Sequence, residues 1–266
     1  MKNFFTLCVI IVCFQTYGQL FGPKFKLIDT DNHETHNGLY TDINGDGINE
    51  LYASRNRLFR FEKTYCDQLD STGMGDLLIG AAATVKMERV DMDGDGIEDL
   101  FSANSINIYW IKVTLDGTLG DVSVINIGTF WILEVEVLDF DLDGDQDVLW
   151  FDGTLFLSEN GGGGAFAAPV PVFGEMDYCY DLKSGDLNSD GLEDLVITSI
   201  LGEFWFPHLG DGSYGTPVDI LSIIGDIGLS GTQVEIHDIE LDGDLDLALT
   251  GLGGYDEVGW VQNDGL

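Results

Sequence analysis

An all-β fold, a β-propeller of five four-stranded blades, is predicted by three features of this 266-residue sequence. An acidic loop recurs five times, opening at Asp42, Asp91, Asp139, Asp186 and Asp238, so that successive copies start 49, 48, 47 and 52 residues apart. Short apolar runs rich in strand formers flank every copy, and an aromatic run follows each, ending in the last four copies on a glycine turn signal. A period of this length held through five copies marks a repeat architecture, in which each unit buries its core only against its neighbours.

Counted from its first aspartate, each loop carries oxygen-bearing side chains at positions one, three, five and nine and a glycine at position six. The five sets are Asp42, Asn44, Asp46 and Glu50; Asp91, Asp93, Asp95 and Asp99; Asp139, Asp141, Asp143 and Asp147; Asp186, Asn188, Asp190 and Asp194; and Asp238, Glu240, Asp242 and Asp246. Alternate side chains in a tight loop converge on one point, and the glycine permits the reversal that lets them do so. Main-chain carbonyls at position seven, from Ile48, Ile97, Asp145, Leu192 and Asp244, add a further oxygen. Hard, flexible, all-oxygen coordination suits Ca2+, up to five ions here, whereas Mg2+ demands stricter octahedral geometry and Zn2+ prefers nitrogen or sulfur. The loops opening at Asp91 and Asp139, with aspartate at all four positions, are expected to bind best, and the first loop is the weakest candidate. Solvated acidic turns are the alternative. Two like charges about 4 Å apart repel by roughly 1 kcal/mol in water and about 4 kcal/mol at an effective dielectric of 20, so a carboxylate cluster without a cation is costly.

An EF-hand opens in the same way but needs a bidentate glutamate at position twelve and helices on both sides. Position twelve here is Ala53, Ser102, Trp150, Ile197 and Leu249. Before each loop runs a strand-like segment, as in Trp131 to Leu138, and after position nine comes a second, such as Leu100-Phe101 or Val148-Leu149-Trp150. These runs are rich in strand formers and too short for helices. A third strand is aromatic: Leu58 to Phe61, Ile108 to Ile111, Leu155 to Leu157, Phe204 to Phe206 and Gly259 to Val261. Turn signals at Asp116-Gly117, Asn160-Gly161, Asp211-Gly212 and Asp264-Gly265 then suggest tight hairpins. The fourth strand, as in Pro169 to Phe173 or Pro217 to Leu221, carries proline, which suits an outer edge. Four short antiparallel strands per repeat make a propeller blade, and the aromatics read as packing between blades. The approximate blades are 34–75, 83–128, 131–175, 178–225 and 231–266, within a propeller domain spanning 19–266.

The loops, the aromatic strand and the Asn-Gly or Asp-Gly turn resemble the FG-GAP and VCBS repeats of secreted bacterial proteins, relatives of the integrin alpha-subunit propeller. The resemblance spans about residues 34 to 266. It implies a propeller whose calcium loops join the first two strands of each blade and brace the fold, with ligands met elsewhere. It implies no substrate, since the group includes adhesins, lectin-like modules and some polysaccharide lyases, and fold underdetermines function. Seven blades are usual in that family, and the chain stops inside the third hairpin of the fifth. A truncated seven-bladed propeller is therefore expected, the alternative being a closed five-bladed ring in which Phe21 to Ile28 supplies the last outer strand.

Met1 to Gly18 reads as a secretory signal peptide: Lys2, an apolar stretch from Phe4 to Phe14, then Thr16 and Gly18 at the cleavage positions. That stretch is too short to span a membrane, so a secreted or cell-surface protein is expected. Its removal leaves Cys66 and Cys179, too far apart in the repeat order for a bridge. The formal charge of −36 comes largely from the loops, which hold 22 of the 47 acidic residues. Such a chain repels nucleic acid and anionic membranes, leaving neutral glycans or protein surfaces as the expected partners. The sequence has no nucleophile elbow, phosphate-binding glycine loop or metalloprotease helix. His33 and His36 read as ordinary loop histidines, and Arg55-Asn-Arg57 as a solvated turn. A calcium-braced adhesion or ligand-binding module is the expected function. The enzymatic alternative is the propeller domain of a secreted polysaccharide lyase or other carbohydrate-active enzyme, which would need a base and cationic groups facing a uronate.

Overall fold

The computed structural model describes residues 38–54, 58–63, 69–73, 84–125, 131–173, 179–210, 212–220, 222, 231–251, 258–263 and 265. The signal segment, Phe21 to Ile28, His33, His36, Arg55, Arg57 and Cys66 lie outside the described residues. The described chain forms five antiparallel sheets in sequence order. The first is β1 (Gly38–Thr41), β2 (Glu50–Ser54), β3 (Leu58–Lys63) and β4 (Leu69–Gly73); the second is β5 (Thr84–Val90), β6 (Asp99–Asn104), β7 (Ile108–Val113) and β8 (Leu119–Ile125). The third is β9 (Glu134–Leu138), β10 (Asp147–Phe151), β11 (Leu155–Ser158) and β12 (Val170–Pro171). The fourth is β13 (Cys179–Gly185), β14 (Asp194–Ser199), β15 (Gly202–Phe206) and β16 (Val218–Asp219), and the fifth shows three strands among the described residues, β17 (Gly231–His237), β18 (Asp246–Gly251) and β19 (Val258–Val261).

Each sheet is a meander in which neighbours in sequence are neighbours in space, and each acidic loop joins the first strand to the second. All five loops therefore sit at the same end of their sheets. The first strands also pack against one another in chain order, β1 on β5, β5 on β9, β9 on β13 and β13 on β17. The proline-bearing runs form two-residue edge strands, β12 and β16, each hydrogen-bonded on one side only.

What holds the sheets together is the alternation of the second strand, whose successive side chains point to opposite faces. In β10, Val148 and Trp150 join the second sheet's Phe101, Ile108 and Trp110, while Leu149 and Phe151 join the fourth sheet's Leu182, Leu195 and Ile197. In β6, Leu100 faces Ile43 and Tyr52 of the first sheet, and in β14, Val196 faces Val234 and Leu249 of the fifth. Four apolar clusters thus fill the four junctions between five sheets, as expected for aromatics and aliphatics packing between blades. Trp150 is fully buried and stacks on Phe156 at 5.7 Å.

Two expectations need correction. The strand expected from Trp131 starts at Glu134, because Trp131 has a φ of 75° and its N–H and that of Ile132 both bond to Ser105 O. Asn160-Gly161 is not the tip of a tight two-residue hairpin either: the chain turns further on, at Gly162 to Gly164, all at positive φ, and Asn160 pairs across it with Phe166.

Candidate metal centre

The loops are shaped by their own carboxylates. The position-one aspartate accepts from main-chain N–H groups further round the turn: Asp91 Oδ1 from Gly94 and Asp95 (2.9 and 3.2 Å) and Oδ2 from Gly96 (2.8 Å). Asp42, Asp186 and Asp238 each hold the N–H of positions five and six in the same way, and Asp139 holds that of Gly144. The position-five aspartate then accepts from the N–H of position seven, at 2.8 to 3.1 Å in all five copies. Position six is left-handed throughout, with φ from 83° to 104°, as the sequence required of its glycine. Position four is left-handed as well. Glycine fills it in the first two loops, but Leu142, Ser189 and Leu241 adopt φ of 65°, 59° and 64° in the others. The leucines carry a strain of roughly 1–2 kcal/mol there.

Position nine does something the sequence did not reveal. Glu50, Asp99, Asp147, Asp194 and Asp246 are all buried, and one oxygen of each accepts the N–H of position two, from Ile43, Met92, Phe140, Leu187 and Ile239. In the last four copies the other oxygen accepts an N–H from the end of the third strand, Val113, or from just beyond it, Asn160, His208 and Asn263, at 2.7 to 2.9 Å. The carboxylate therefore clamps the loop onto its own sheet. Burial pushes the Asp99 and Asp147 carboxyls up to about 6, and raises that of Asp194.

The side chains of those clamped residues reach the neighbouring sheet. Asn160 Nδ2 donates to Gln146 O (3.1 Å) in its own loop and to Met92 O (2.9 Å) in the preceding one. Asn263 repeats this, to Leu245 O (3.1 Å) and Leu187 O (2.7 Å). In the fourth sheet the task is divided: His208 Nε2 bonds to Phe140 O (3.0 Å) and Tyr214 Oη donates to Glu193 O (3.4 Å). Gly210 N–H donates to His208 Nδ1, so the imidazole proton sits on Nε2. A hydrogen-bonded belt thus runs from loop to loop, Asp99, Met92, Asn160, Asp147, Phe140, His208, Asp194, Leu187, Asn263, Asp246. Sequence spacing hides it, because the bridging residue stands 13, 14 or 17 positions after its carboxylate. Only strand register aligns them.

The candidate ligands converge. Carboxylate oxygens lie within 4.8 Å of one another in Asp42, Asp46 and Glu50, in Asp91, Asp93 and Asp99, and in Asp139, Asp141 and Asp147. Asp93 Oδ1 and Asp139 Oδ1 are buried and take no hydrogen bond. A buried acceptor left unmatched costs about 1–3 kcal/mol, so each is better explained as a ligand than as a loop-closing group. The donor set is all oxygen, and these residues fit a hard divalent cation such as Ca2+. The second loop's own ligand side chains meet a lysine: Lys112 Nζ, from the end of β7, pairs with Asp93 and lies 2.6 Å from Asp95 Oδ2. Its hydrogen bond holds the Asp95 carboxyl below the usual range, and the two aspartates raise the lysine.

At the opposite end of the sheets, the first strands enclose a cavity of about 330 Å³ lined by Lys86, Glu134, Tyr180, Asp181, Lys183 and Gln233 among others. Lys86 pairs with Glu136 (2.7 Å) and Glu88 (3.3 Å), and Lys183 with Asp181 (3.5 Å). Burial, then the charge of Asp181, pushes the Glu134 carboxyl up to about 8. Trp131 stands at the same end, 72% exposed.

Residues 91–150 match the family model of the FG-GAP-like repeat. Among solved structures, a lectin from Agrocybe aegerita, described as recognising non-reducing terminal N-acetylglucosamine, superposes with a TM-score of 0.61 at 18% identity, over 87% of this chain and 67% of that one. The Vibrio cholerae biofilm matrix protein Bap1 superposes with a TM-score of 0.54 at 14% identity, over 88% of this chain but 38% of that one. At these identities the likeness concerns the fold alone, and the chain spans well under half of the biofilm protein. No curated protein matches the sequence. The segment from the second acidic loop into β10 is an FG-GAP-like repeat, and the chain carries it on an all-β, propeller-like architecture.

Proposed function

We propose that this chain is a secreted or cell-surface ligand-binding module, in which Ca2+ ions in the acidic loops brace consecutive propeller blades and a glycan or protein ligand is met at the opposite end. The observation that carries the calcium reading is the pair of buried, unpartnered carboxylate oxygens, Asp93 Oδ1 and Asp139 Oδ1, inside clusters of three convergent acids. When bound, the cation neutralises the carboxylates at positions one and five, and at position three where that residue is acidic. The chain's own part is to hold them in place through main-chain N–H groups and to anchor position nine beneath them. The five sheets are taken as five successive blades, of a ring that numbers seven in the family resembled or closes at five.

The ligand reading is supported by the likeness to a lectin and to a biofilm matrix protein. It is supported also by the end of the sheets away from the loops. There, an exposed Trp131 held in a strained backbone conformation lies at the same end as a polar cavity. Exposed aromatics stack on sugar faces, and strained residues concentrate at functional sites. Secretion rests on residues 1–18. No helix long and apolar enough to cross a membrane occurs among the described residues. The calcium half is tested by calorimetric titration of chelated, metal-free protein, where several equivalents of heat-producing Ca2+ binding are expected and none would refute it. For the ligand half, a glycan array probed with wild type and Trp131→Ala should show signals that the variant weakens. Equal signals from the two proteins would move the ligand site elsewhere.

A further inference from the structure

The second loop, with aspartate at positions one, three, five and nine, is one of the two best Ca2+ candidates by composition. The register between β6 and β7 changes that ranking. Leu100 pairs with Ile111, so the next residue, Lys112, stands beside the loop, and its ammonium engages Asp93 and Asp95, two of the four side-chain ligands. The equivalent places in the other sheets, one residue beyond Phe61, Ser158, Phe206 and Val261, hold Glu62, Glu159, Pro207 and Gln262. None of these is cationic, and among the described residues a lysine reaches position-three and position-five side chains in the second loop.

We propose that Lys112 is a tethered counter-cation of the second loop, which competes with Ca2+ for Asp93 and Asp95 and makes this loop a weak, late-filling site. The inference rests on the calcium reading above. A lysine ammonium is a compact, strongly hydrated point charge on a flexible stem, able both to sit between two carboxylates and to swing out to solvent. At 40% exposure the Lys112 side chain has a path to do so. Because the ion can bind only the fraction of molecules in which the lysine has left, its apparent affinity falls by that fraction. An exposed pair is worth little, but one ammonium shared by two acids in a partly buried loop lowers affinity by about tenfold. The lysine also does for the loop part of what Ca2+ would do, by offsetting the mutual repulsion of Asp93 and Asp95. The second loop therefore keeps its shape at calcium concentrations too low to fill it.

The test uses the full chain as wild type, Lys112→Met and Lys112→Arg, with Lys112→Gln as a second neutral variant. Calcium titrations are followed site by site through the amide resonances of Gly96, Gly144, Gly191 and Gly243, the position-six N–H groups held by each loop's first aspartate. In the wild type Gly96 should respond last. In Lys112→Met it should respond at about tenfold lower Ca2+ with the other three unmoved, and Lys112→Arg should retain the late response. Thermal melts give an independent reading. In chelator Lys112→Met should melt about 2–4 °C below wild type, and in saturating Ca2+ the deficit should vanish or reverse. The inference is overturned if Gly96 titrates with the other glycines in the wild type, or if neutralising Lys112 leaves its response unchanged. If no loop amide responds to Ca2+ in any variant, the calcium reading fails and this inference fails with it.

Discussion

Between the second and third sheets the buried carboxamide of Asn160 spans from Gln146 O to Met92 O. Between the first and second, the corresponding place is held by Val113, whose side chain is buried among Ile43, Tyr52 and Leu100 and can donate nothing. There the connection is made from another direction, by Arg89 at the end of β5, which donates to Asp42 O (2.9 Å) and Thr41 Oγ1 (3.1 Å) and pairs with Glu98 (3.2 Å). Gly117, in the turn above the first loop, lies so close to Asn44 that a β-carbon would collide with it. The contrast separates two ways of fastening a repeat to its neighbour. A directional bridge, buried at Asn160 and His208 and half-buried at Asn263, links three junctions into one belt, whereas a partly exposed cation fastens the first. The apolar clusters make every junction adhere, but the belt makes the setting of one loop felt by the next.

Breaking the belt should have the largest effect. Asn160→Leu keeps the branched shape but leaves Gln146 O and Met92 O without their donor, at a cost of about 2–4 kcal/mol, measurable as a lowered Tm in calorimetry. A change within about 0.5 kcal/mol of neutral would mean that the bridge is incidental to packing.

At the other end of the same sheets the effect is set by pH. The Glu134 carboxyl is held at about 8 by burial and Asp181, above its ordinary 4.5. The folded state therefore keeps a proton that the unfolded chain has lost. Stability from this group is complete below the unfolded value and is lost as pH rises from 4.5 towards 8, by at most ~1.4 kcal/mol per unit. Glu134→Gln should accordingly be neutral at pH 4 and stabilising at pH 8 in denaturant melts. Parallel pH profiles for the two proteins would place the carboxyl in water instead.

The first junction should be more tolerant. Arg89→Met should cost no more than about 1 kcal/mol, a smaller loss than Asn160→Leu, because its ion pair with Glu98 is partly exposed. A loss as large as that of Asn160→Leu would erase the distinction between the junctions. The smallest effect has the opposite sign. Leu241→Gly relieves a left-handed leucine that is 86% exposed and should raise stability by up to about 1 kcal/mol, seen as a small rise in Tm.

The five loops, their glycine, the strand on either side of each and the proline-bearing edges were legible in the sequence, because each follows from a local rule: ligand spacing, positive φ, apolar alternation, a missing N–H. What was not legible depends on register between strands far apart in the chain. Asn160 reads as a turn residue in the sequence, whereas the third sheet places its side chain against Met92 O of the second loop. His208 offered no pattern until it met Phe140 O. Lys112 reads as one more surface lysine unless the pairing of β6 with β7 is known. The left-handed conformation at position four was hidden by leucine and serine in three of the copies, since the turn there overrides side-chain preference. At position nine the spacing predicts an ion ligand; that its carboxylate clamps loop to sheet shows only with the backbone donors in view.

If cations brace these loops, the melting temperature of protein confirmed to be metal-free must rise when Ca2+ is added. A ligand at a hundredfold excess over its Kd stabilises by about 2.7 kcal/mol per site, so several filled loops should raise Tm by about 10 °C or more. Mg2+, with its stricter geometry, should restore little of that rise, and Asp141→Ala should remove part of it. A Tm unmoved by Ca2+ would show that the five loops are held by their own hydrogen bonds alone and are acidic turns.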